Sequence, residues 1–306
     1  MLRFNVLGDL EIIYNGHRIT PSPPKVRRVL AVVLLRANQV VHPSSLMEEL
    51  WGQSPPKSAV TTLQTYIYHL RKLFAEKGLE SPGNELLLTR APGYTLRVPP
   101  GALDSDVFSR LVADGCHHMR QGNPLLASSI LREALNAWTG PALANVSLGS
   151  ELKAHAAALE EQRIHALQLR IQSDMEVGRH HELIGELKLQ TAANPLDEWF
   201  ARQLIIALGR SGRRSEALDV YREVRETLRD ELGLDPSSAL QQAQRDVLRS
   251  GSFSATGSAT GPAATVFPSK ATPVPVTADR HRAANVIAKV NRGRDLQFPV
   301  GLIAED

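Results

Sequence analysis

The stretch TLQTYIYHLRKLF, residues 62–74, carries its apolar side chains at Leu63, Ile67, Leu70 and Phe74. Intervals of four, three and four residues predict an amphipathic helix with a single buried stripe. The other positions are polar, aromatic or basic, and no acidic residue occurs between Lys57 and Phe74. Such a face suits a polyanionic partner, because phosphates repel carboxylates.

The charge of the chain is unevenly distributed. Residues 1–100 hold 12 Lys and Arg against 7 Asp and Glu, whereas residues 101–250 hold 17 against 21. A basic N-terminal segment on a mildly acidic body favours a polyanion as the partner of that segment. Chance surface asymmetry would also explain an excess of this size.

Composition predicts a globular protein of the cytoplasm or of another reducing compartment. No window offers the roughly 18 uncharged apolar residues that a membrane span requires, and the N-terminus does not have the pattern of a signal peptide. Cys116 is the only cysteine, so no disulfide within the chain and no cysteine-based metal cage can form. We expect no membrane association, no bound metal and no cofactor.

The first hundred residues alternate between strand and helix signals. Short strands surround the turn signal Asn15-Gly16, and a helical stripe begins near Lys25 after three prolines. A second short helix is predicted to have a serine cap and to stop at the glycine after Trp51. The quoted helix, residues 57–75, and a hairpin formed by residues 86–90 and 94–98 complete the segment. Strands, three helices and a hairpin predict a winged helix-turn-helix, whose second motif helix lies in the DNA major groove.

From Leu103 onward the apolar pattern is helical as far as residue 248. Seven apolar stripes are separated by glycine, asparagine and proline breakers, and they cover residues 108–119, 125–138, 152–175, 181–191, 196–208, 215–232 and 237–248. The segments GRHHELIGEL and GRRSEALDVY begin at Gly178 and Gly212, 34 residues apart, which is the tetratricopeptide period. A stack of helix hairpins is therefore favoured, although a plain helical bundle with two similar turns remains possible.

The predicted fold class is mainly α with a small β component. A winged helix-turn-helix domain is expected in residues 1–99, and an all-α tetratricopeptide-like repeat domain in residues 103–250. Residues 251–306 are expected to be a linker or disordered tail, because Ser, Gly, Ala, Thr and Pro supply 22 of the 28 residues 251–278. A basic stretch beyond them could form one short helix.

Two sequence blocks carry a family resemblance. The run from RRVLAVVLL to YHLRKLF, followed by TRAPGYTLRV, resembles the OmpR-type winged-helix domain of the Streptomyces antibiotic regulatory proteins. The segments LDSDVFSRLV, LREALNAWTGPAL and SEALDVYREVRETLRDELGLDP are similar to the bacterial transcriptional activation domain that follows it in that family. The chain resembles the small form, because no G-x-x-x-x-G-K-[ST] phosphate loop occurs in it.

The resemblance implies a pathway-specific transcriptional activator of an antibiotic or other secondary-metabolite gene cluster. It also implies binding to direct repeats in double-stranded promoter DNA near the −35 element. The implied protein partner is RNA polymerase holoenzyme, through the −35-binding region of the sigma factor and neighbouring subunits. Two copies would bind the repeats as a head-to-tail homodimer on one face of the DNA.

The family pattern places base contacts on the quoted helix, at Thr61, Thr65, Tyr66, Tyr68, His69 and Arg71. Arginine pairs with guanine, and hydroxyl or ring groups can meet base edges and thymine methyls. Many OmpR-type proteins have arginines where Tyr68 and His69 stand, which suggests more apolar or indirect readout here. The alternative for Tyr66 or Tyr68 is packing over the domain core.

Further contacts follow from the wing and from scattered cations. Arg90, in the wing motif TRAPGY, is expected to enter a narrow minor groove, or else to be a solvated loop residue. Phosphate contacts are expected from Lys25, Arg27, Ser44, Lys57 and Lys72, although surface cations are common. Gly93 is expected to supply the turn, Tyr94 to pack beneath it and Trp51 to lie in the core.

Catalysis is not indicated by any constellation of residues. The pairs His117-His118 and His180-His181 are adjacent in sequence, so their side chains diverge on a helix and are poorly placed to chelate one metal. Cys116 is expected to be a buried structural thiol. Two other functions remain open: a helical-repeat scaffold that binds proteins, and a repressor that uses the same DNA-binding domain.

Overall fold

The computed structural model describes residues 2–80 and 85–249, so the predicted tail lies outside the described residues. The described elements are β1 (Leu2–Asn5), β2 (Glu11–Tyr14), β3 (His17–Arg18), α1 (Pro24–Leu35), α2 (Pro43–Trp51), α3 (Ala59–Glu76), β4 (Leu87–Arg90), β5 (Gly93–Leu96), α4 (Asp104–Arg120), α5 (Pro124–Leu135), α6 (Ser150–Val177), α7 (His180–Ala193), α8 (Glu198–Arg210), α9 (Arg214–Leu232) and α10 (Ser238–Arg249). The mainly helical fold class with small sheets is thereby confirmed, and each of the seven predicted stripes corresponds to one of the helices α4 to α10.

The N-terminal sheet is an antiparallel meander in the order β1-β2-β3. Asn15 and Gly16 both have positive φ, of 50° and 82°, as the turn signal predicted. Because side chains alternate across a strand, Phe4 and Ile12, which face each other in the register, both point into the core.

Helix α3 buries the stripe that its sequence predicted, with Leu63, Ile67, Leu70 and Phe74 all at most 2% exposed. Helix α2 differs from expectation at its start. It begins at Pro43, after His42, and no side chain caps it, so the predicted serine cap is wrong. Proline at the first helical position needs no amide hydrogen and has the φ that the helix requires.

The hairpin β4–β5 is attached to the segment before α2. The backbones of Val41 and Tyr94 exchange two hydrogen bonds, of 2.8 and 3.0 Å. A Cβ on Gly93 would lie 2.1 Å from the Val41 carbonyl oxygen. Gly93, which was expected to supply the turn, is required here by close backbone packing and does not have a positive φ.

The helical part stacks neighbouring helices as hairpins. Helix α4 packs on α5, α5 on α6, α7 on α8 and α8 on α9, and α10 returns to α8 and α9. Gly178 and Gly212 both have positive φ, of 91° and 76°, immediately before α7 and α9. The 34-residue sequence period is thus a structural period of one helix pair.

The hydrophobic cores divide within α6 and not near residue 100. One core extends from Phe4 to Ala166 and joins the winged-helix elements to α4, α5 and the first half of α6. A second core begins at Ile171 and contains α7 to α10. The long helix α6 is therefore shared by both cores.

A buried ion network lies where the two cores meet on α6. Asp174 is fully buried and accepts hydrogen bonds from Ser128 and Arg132 of α5, from Arg170 one turn earlier, and from Arg179. Burial acts to raise the pKa of Asp174, but the hydrogen bonds from Ser128, Arg132 and Arg170 hold it below the ordinary value. The network joins α5, α6 and the start of α7.

Polar contacts fix the winged-helix elements against α6. The buried carboxylate of Glu49, on α2, accepts hydrogen bonds from the backbone N–H groups of Gly149, Glu151 and Leu152. A carboxylate at a helix N-terminus satisfies free N–H groups and complements the helix dipole. Arg36, the residue directly after α1, adds an ion pair of 2.7 Å to Glu151.

A second set of contacts holds the segment that follows β1. The Asp104 carboxylate accepts hydrogen bonds from the backbone N–H groups of Val6 and Leu7 at 2.9 to 3.0 Å. Asn145 exchanges side-chain hydrogen bonds with both backbone groups of Leu10. Burial raises the pKa of Asp104 to about 6, although the hydrogen bonds from Val6 and Leu7 act to lower it.

Candidate nucleic-acid interface

The solvent-facing side of α3 is the candidate reading surface. Its exposed polar residues, hereafter the α3 face, are Thr61, Gln64, Thr65, Tyr68, His69 and Lys72. Intervals of three and four residues place them on one side of the helix, opposite the buried stripe. The first acid beyond this face is Glu76, which pairs with Lys72 at 3.7 Å. The face thus offers donors, acceptors and an aromatic ring without an unpaired carboxylate.

The two tyrosines of α3 have different surroundings. Tyr68 is 60% exposed, and its ring lies 6.0 Å from that of His69. Tyr66 is half-buried and stacks on Trp51, with ring centroids 6.5 Å apart and an interplanar angle of 21°. Tyr66 therefore packs against the core, which is the alternative that the sequence left open. Trp51, which was expected in the core, is half-buried at its edge.

Arg71 is joined to the hairpin. Its Nε donates to the Leu87 carbonyl oxygen at 3.0 Å, and its second terminal nitrogen donates to the Thr89 hydroxyl at 2.8 Å. Both acceptors belong to β4. Since a guanidinium is planar and rigid, these two bonds set the orientation of the hairpin relative to α3. Arg71 therefore joins α3 to the hairpin, and its predicted contact with DNA stays a prediction.

Arg90 lies at the end of the wing, where it pairs with Gly93 across the hairpin. Its side chain is exposed, and only Ala91 and Pro92 separate the two paired residues. A cation at the tip of a rigid hairpin can reach a DNA groove beside the one that a helix occupies.

The predicted phosphate contacts separate into two groups. The first group is exposed and consists of Ser44 near the start of α2, Lys57 ahead of α3, and Lys72 on α3. Lys25 lies over the Trp51 ring at 5.3 Å, and Arg27 donates to Pro21, Ser22 and Asn145 carbonyl oxygens. Arg27 thus helps to hold the winged-helix elements against the connection between α5 and α6; these contacts, with those of Glu49 and Arg36 to α6, are hereafter called the joint.

Sequence reasoning left Gln64 out of the candidate base contacts. It is exposed between Thr61 and Tyr68 on the α3 face. Its amide can bond adenine bidentately. The spacing of three and four residues from its neighbours was the signal that would have included it.

The described residues show neither a metal site nor a membrane span. Within residues 2–80 and 85–249, no group of three or more His, Cys, Asp or Glu side chains is placed to hold a metal ion. In the same part of the chain, no helix combines the length and apolarity needed to cross a membrane.

Two family models match the chain in order. Residues 18–96 match "Transcriptional regulatory protein, C terminal", and residues 103–248 match "Bacterial transcriptional activator domain". The regulatory protein DnrI of Streptomyces peucetius is 40% identical over 251 residues, which cover 81% of this chain and 92% of DnrI. The chain belongs to the Streptomyces antibiotic regulatory protein family.

Two other proteins are similar to this chain over the same share of its length. The regulatory protein AfsR of Streptomyces coelicolor is 36% identical over 249 residues, which cover 81% of this chain and 24% of AfsR. The solved structure of Mycobacterium tuberculosis EmbR in complex with a low-affinity phosphopeptide matches with a TM-score of 0.76 and 32% identity. That match covers 81% of this chain and 65% of EmbR.

Proposed function

We propose that this antibiotic regulatory protein is a sequence-specific DNA-binding activator of a secondary-metabolite gene cluster. The α3 face carries the proposal, because it is an exposed polar surface opposite the buried stripe and its nearest acid, Glu76, is paired with Lys72. Its family membership and its relationship to DnrI support the assignment to regulation of transcription.

The α3 face enters the major groove. Thr61, Gln64, Thr65, Tyr68 and His69 approach base edges, where amide, hydroxyl and ring groups discriminate base pairs. Exposed cations and hydroxyls around them, at Ser44, Lys57 and Lys72, contact phosphates and fix the register.

The wing makes the second contact. Arg90 enters the neighbouring minor groove, where a narrow groove attracts a guanidinium. Arg71 acts on DNA through the wing, because its two bonds to β4 fix where Arg90 stands relative to α3. In this role Arg71 is a positioning residue.

Two copies bind in tandem on direct repeats near the −35 element and recruit RNA polymerase through its sigma factor. The joint between the winged-helix elements and α6 supports this, because a firmly held DNA-binding unit presents the helical part at a defined angle to polymerase.

Footprinting on DNA upstream of the neighbouring biosynthetic genes tests the proposal. We expect protection of a tandem repeat that weakens steeply as salt rises, since phosphate contacts release counterions. In vitro transcription with polymerase holoenzyme then distinguishes activation from repression. Failure to protect any site at low salt would refute the DNA-binding function and favour a protein-binding scaffold.

A further inference from the structure

A pocket opens at the joint between the winged-helix elements and the helical part. Its volume is about 450 Å³. Its walls come from β1, from the connection before α4, from α4 itself and from the connection after α5. Small-molecule sites commonly have this size and occur at junctions between structural units. Both the winged-helix side and the helical side therefore contribute walls to this pocket.

The lining combines an apolar wall with two cations. Ala102, Val107 and Ala137 supply apolar surface, whereas Arg3 of β1 and Arg110 of α4 supply guanidinium groups. Both arginines are exposed, and neither forms a hydrogen bond or an ion pair to residues 2–80 or 85–249. Two uncommitted guanidinium groups at one apolar pocket match an anionic head group.

Asp104 is the one acid in the lining, and its surroundings reduce its repulsion of an anion. Its oxygens accept hydrogen bonds from the backbone N–H groups of Val6 and Leu7. Burial also raises its pKa to about 6, so it carries less charge near neutral pH than an ordinary aspartate. The net charge of the lining is therefore positive.

We propose that this pocket binds a small organic anion, a carboxylate or a phosphate monoester on a compact apolar body. Arg3 and Arg110 hold the anionic head from opposite sides of the joint, and the apolar wall holds the body. Since Arg3 belongs to the winged-helix side and Arg110 to the helical side, the ligand bridges the two. Binding stabilises the joint and can thereby couple a metabolite to the DNA-binding unit.

The test uses the full chain and three defined probes: benzoate, phenyl phosphate and, as the neutral control, benzamide. Calorimetric titration and the thermal unfolding midpoint report binding. We expect one of the two anions to bind with a Kd of about 1 mM or tighter, as befits a probe of this size. Benzamide should bind more weakly by about tenfold or more, because its neutral amide does not form charge-assisted hydrogen bonds with the arginines.

Matched arginine variants locate the site. Arg110→Gln should weaken the anion by about tenfold or more, because a charge-assisted hydrogen bond is lost. Arg120→Gln, also exposed and on α4 but outside the lining, should leave binding unchanged. Circular dichroism of both variants confirms that they are folded.

Three results would overturn the proposal. They are equal binding of benzamide and the anions, equal loss in the two arginine variants, and no binding of either anion. Preference for benzoate over phenyl phosphate, or the reverse, identifies which anionic head group the pocket accepts. Footprinting of promoter DNA is a separate measurement, so failure of this pocket leaves the DNA-binding function untouched.

Discussion

The side chain of Glu49 is expected to stabilise the joint between the winged-helix elements and α6, so Glu49→Ala should weaken the whole fold. Glu49 is only 2% exposed. Its carboxylate accepts three hydrogen bonds, from Gly149 at 2.5 Å, Glu151 at 2.9 Å and Leu152 at 3.3 Å. The substitution removes the acceptor for the first turn of a 28-residue helix.

The expected cost follows from these three bonds. Loss of a helix cap costs ~0.5–2 kcal/mol, and each buried donor left without an acceptor adds ~1–3 kcal/mol. Water can reach part of this turn, because Gly149 and Glu151 are only half-buried. We therefore expect a loss of about 3 kcal/mol in the free energy of unfolding, and a smaller loss of about 1–2 kcal/mol for Glu49→Gln, which keeps one acceptor.

Urea unfolding followed by circular dichroism measures the loss, and amide hydrogen exchange locates it. The matched control is Glu48→Ala, since Glu48 is the neighbouring acid on α2 and is exposed. We expect the control to change stability by less than about 0.5 kcal/mol. Exchange in the first turn of α6 should accelerate only in the Glu49 variants. If Glu49→Ala and Glu48→Ala unfold at the same urea concentration, the inferred role of this carboxylate is wrong.

Three further outcomes are expected. Gly93→Ala should destabilise the hairpin by about 1–3 kcal/mol, because its Cβ would lie 2.1 Å from the Val41 carbonyl oxygen; unchanged urea unfolding would contradict this. Arg71→Ala should lose protection at the wing end of the footprint while base preference under α3 persists, and Thr89→Val should cause a milder form of the same loss. Because the folded-state pKa of Asp104 is about 6 against 3.8 unfolded, the wild type should lose at most ~3 kcal/mol relative to Asp104→Asn as pH rises from about 4 to about 7; parallel pH profiles would refute the shifted pKa.

The regular elements were predictable because local periodicity determines them. The buried stripe of α3 and the Asn15-Gly16 turn depend on residues close together in the sequence, and the period from Gly178 to Gly212 is a repeat within the sequence itself. Such patterns predict which face of a helix is buried, but they do not predict which other element packs against that face.

Partners distant in sequence were not predictable. Glu49 accepts hydrogen bonds from residues about a hundred positions away, and its sequence neighbourhood resembles an ordinary exposed helix face. The family pattern predicts a DNA contact for Arg71, but it gives no sign of the two hydrogen bonds by which this side chain holds β4. Tyr66 and Tyr68 are two residues apart on α3 and point to different sides of the helix, and the partner that Tyr66 meets there, Trp51, could not be read from the local sequence.

The most direct test of the central claim compares the binding of Gln64→Ala/Tyr68→Ala and wild-type protein to the footprinted repeat and to a scrambled duplex. Both side chains are exposed, so urea unfolding should be unchanged. If the α3 face reads bases, affinity for the repeat should fall by at least about 30-fold, since two base contacts at ~1–3 kcal/mol each contribute ~2 kcal/mol or more. Affinity for the scrambled duplex should persist. An unchanged ratio of the two affinities would show that α3 does not read the sequence.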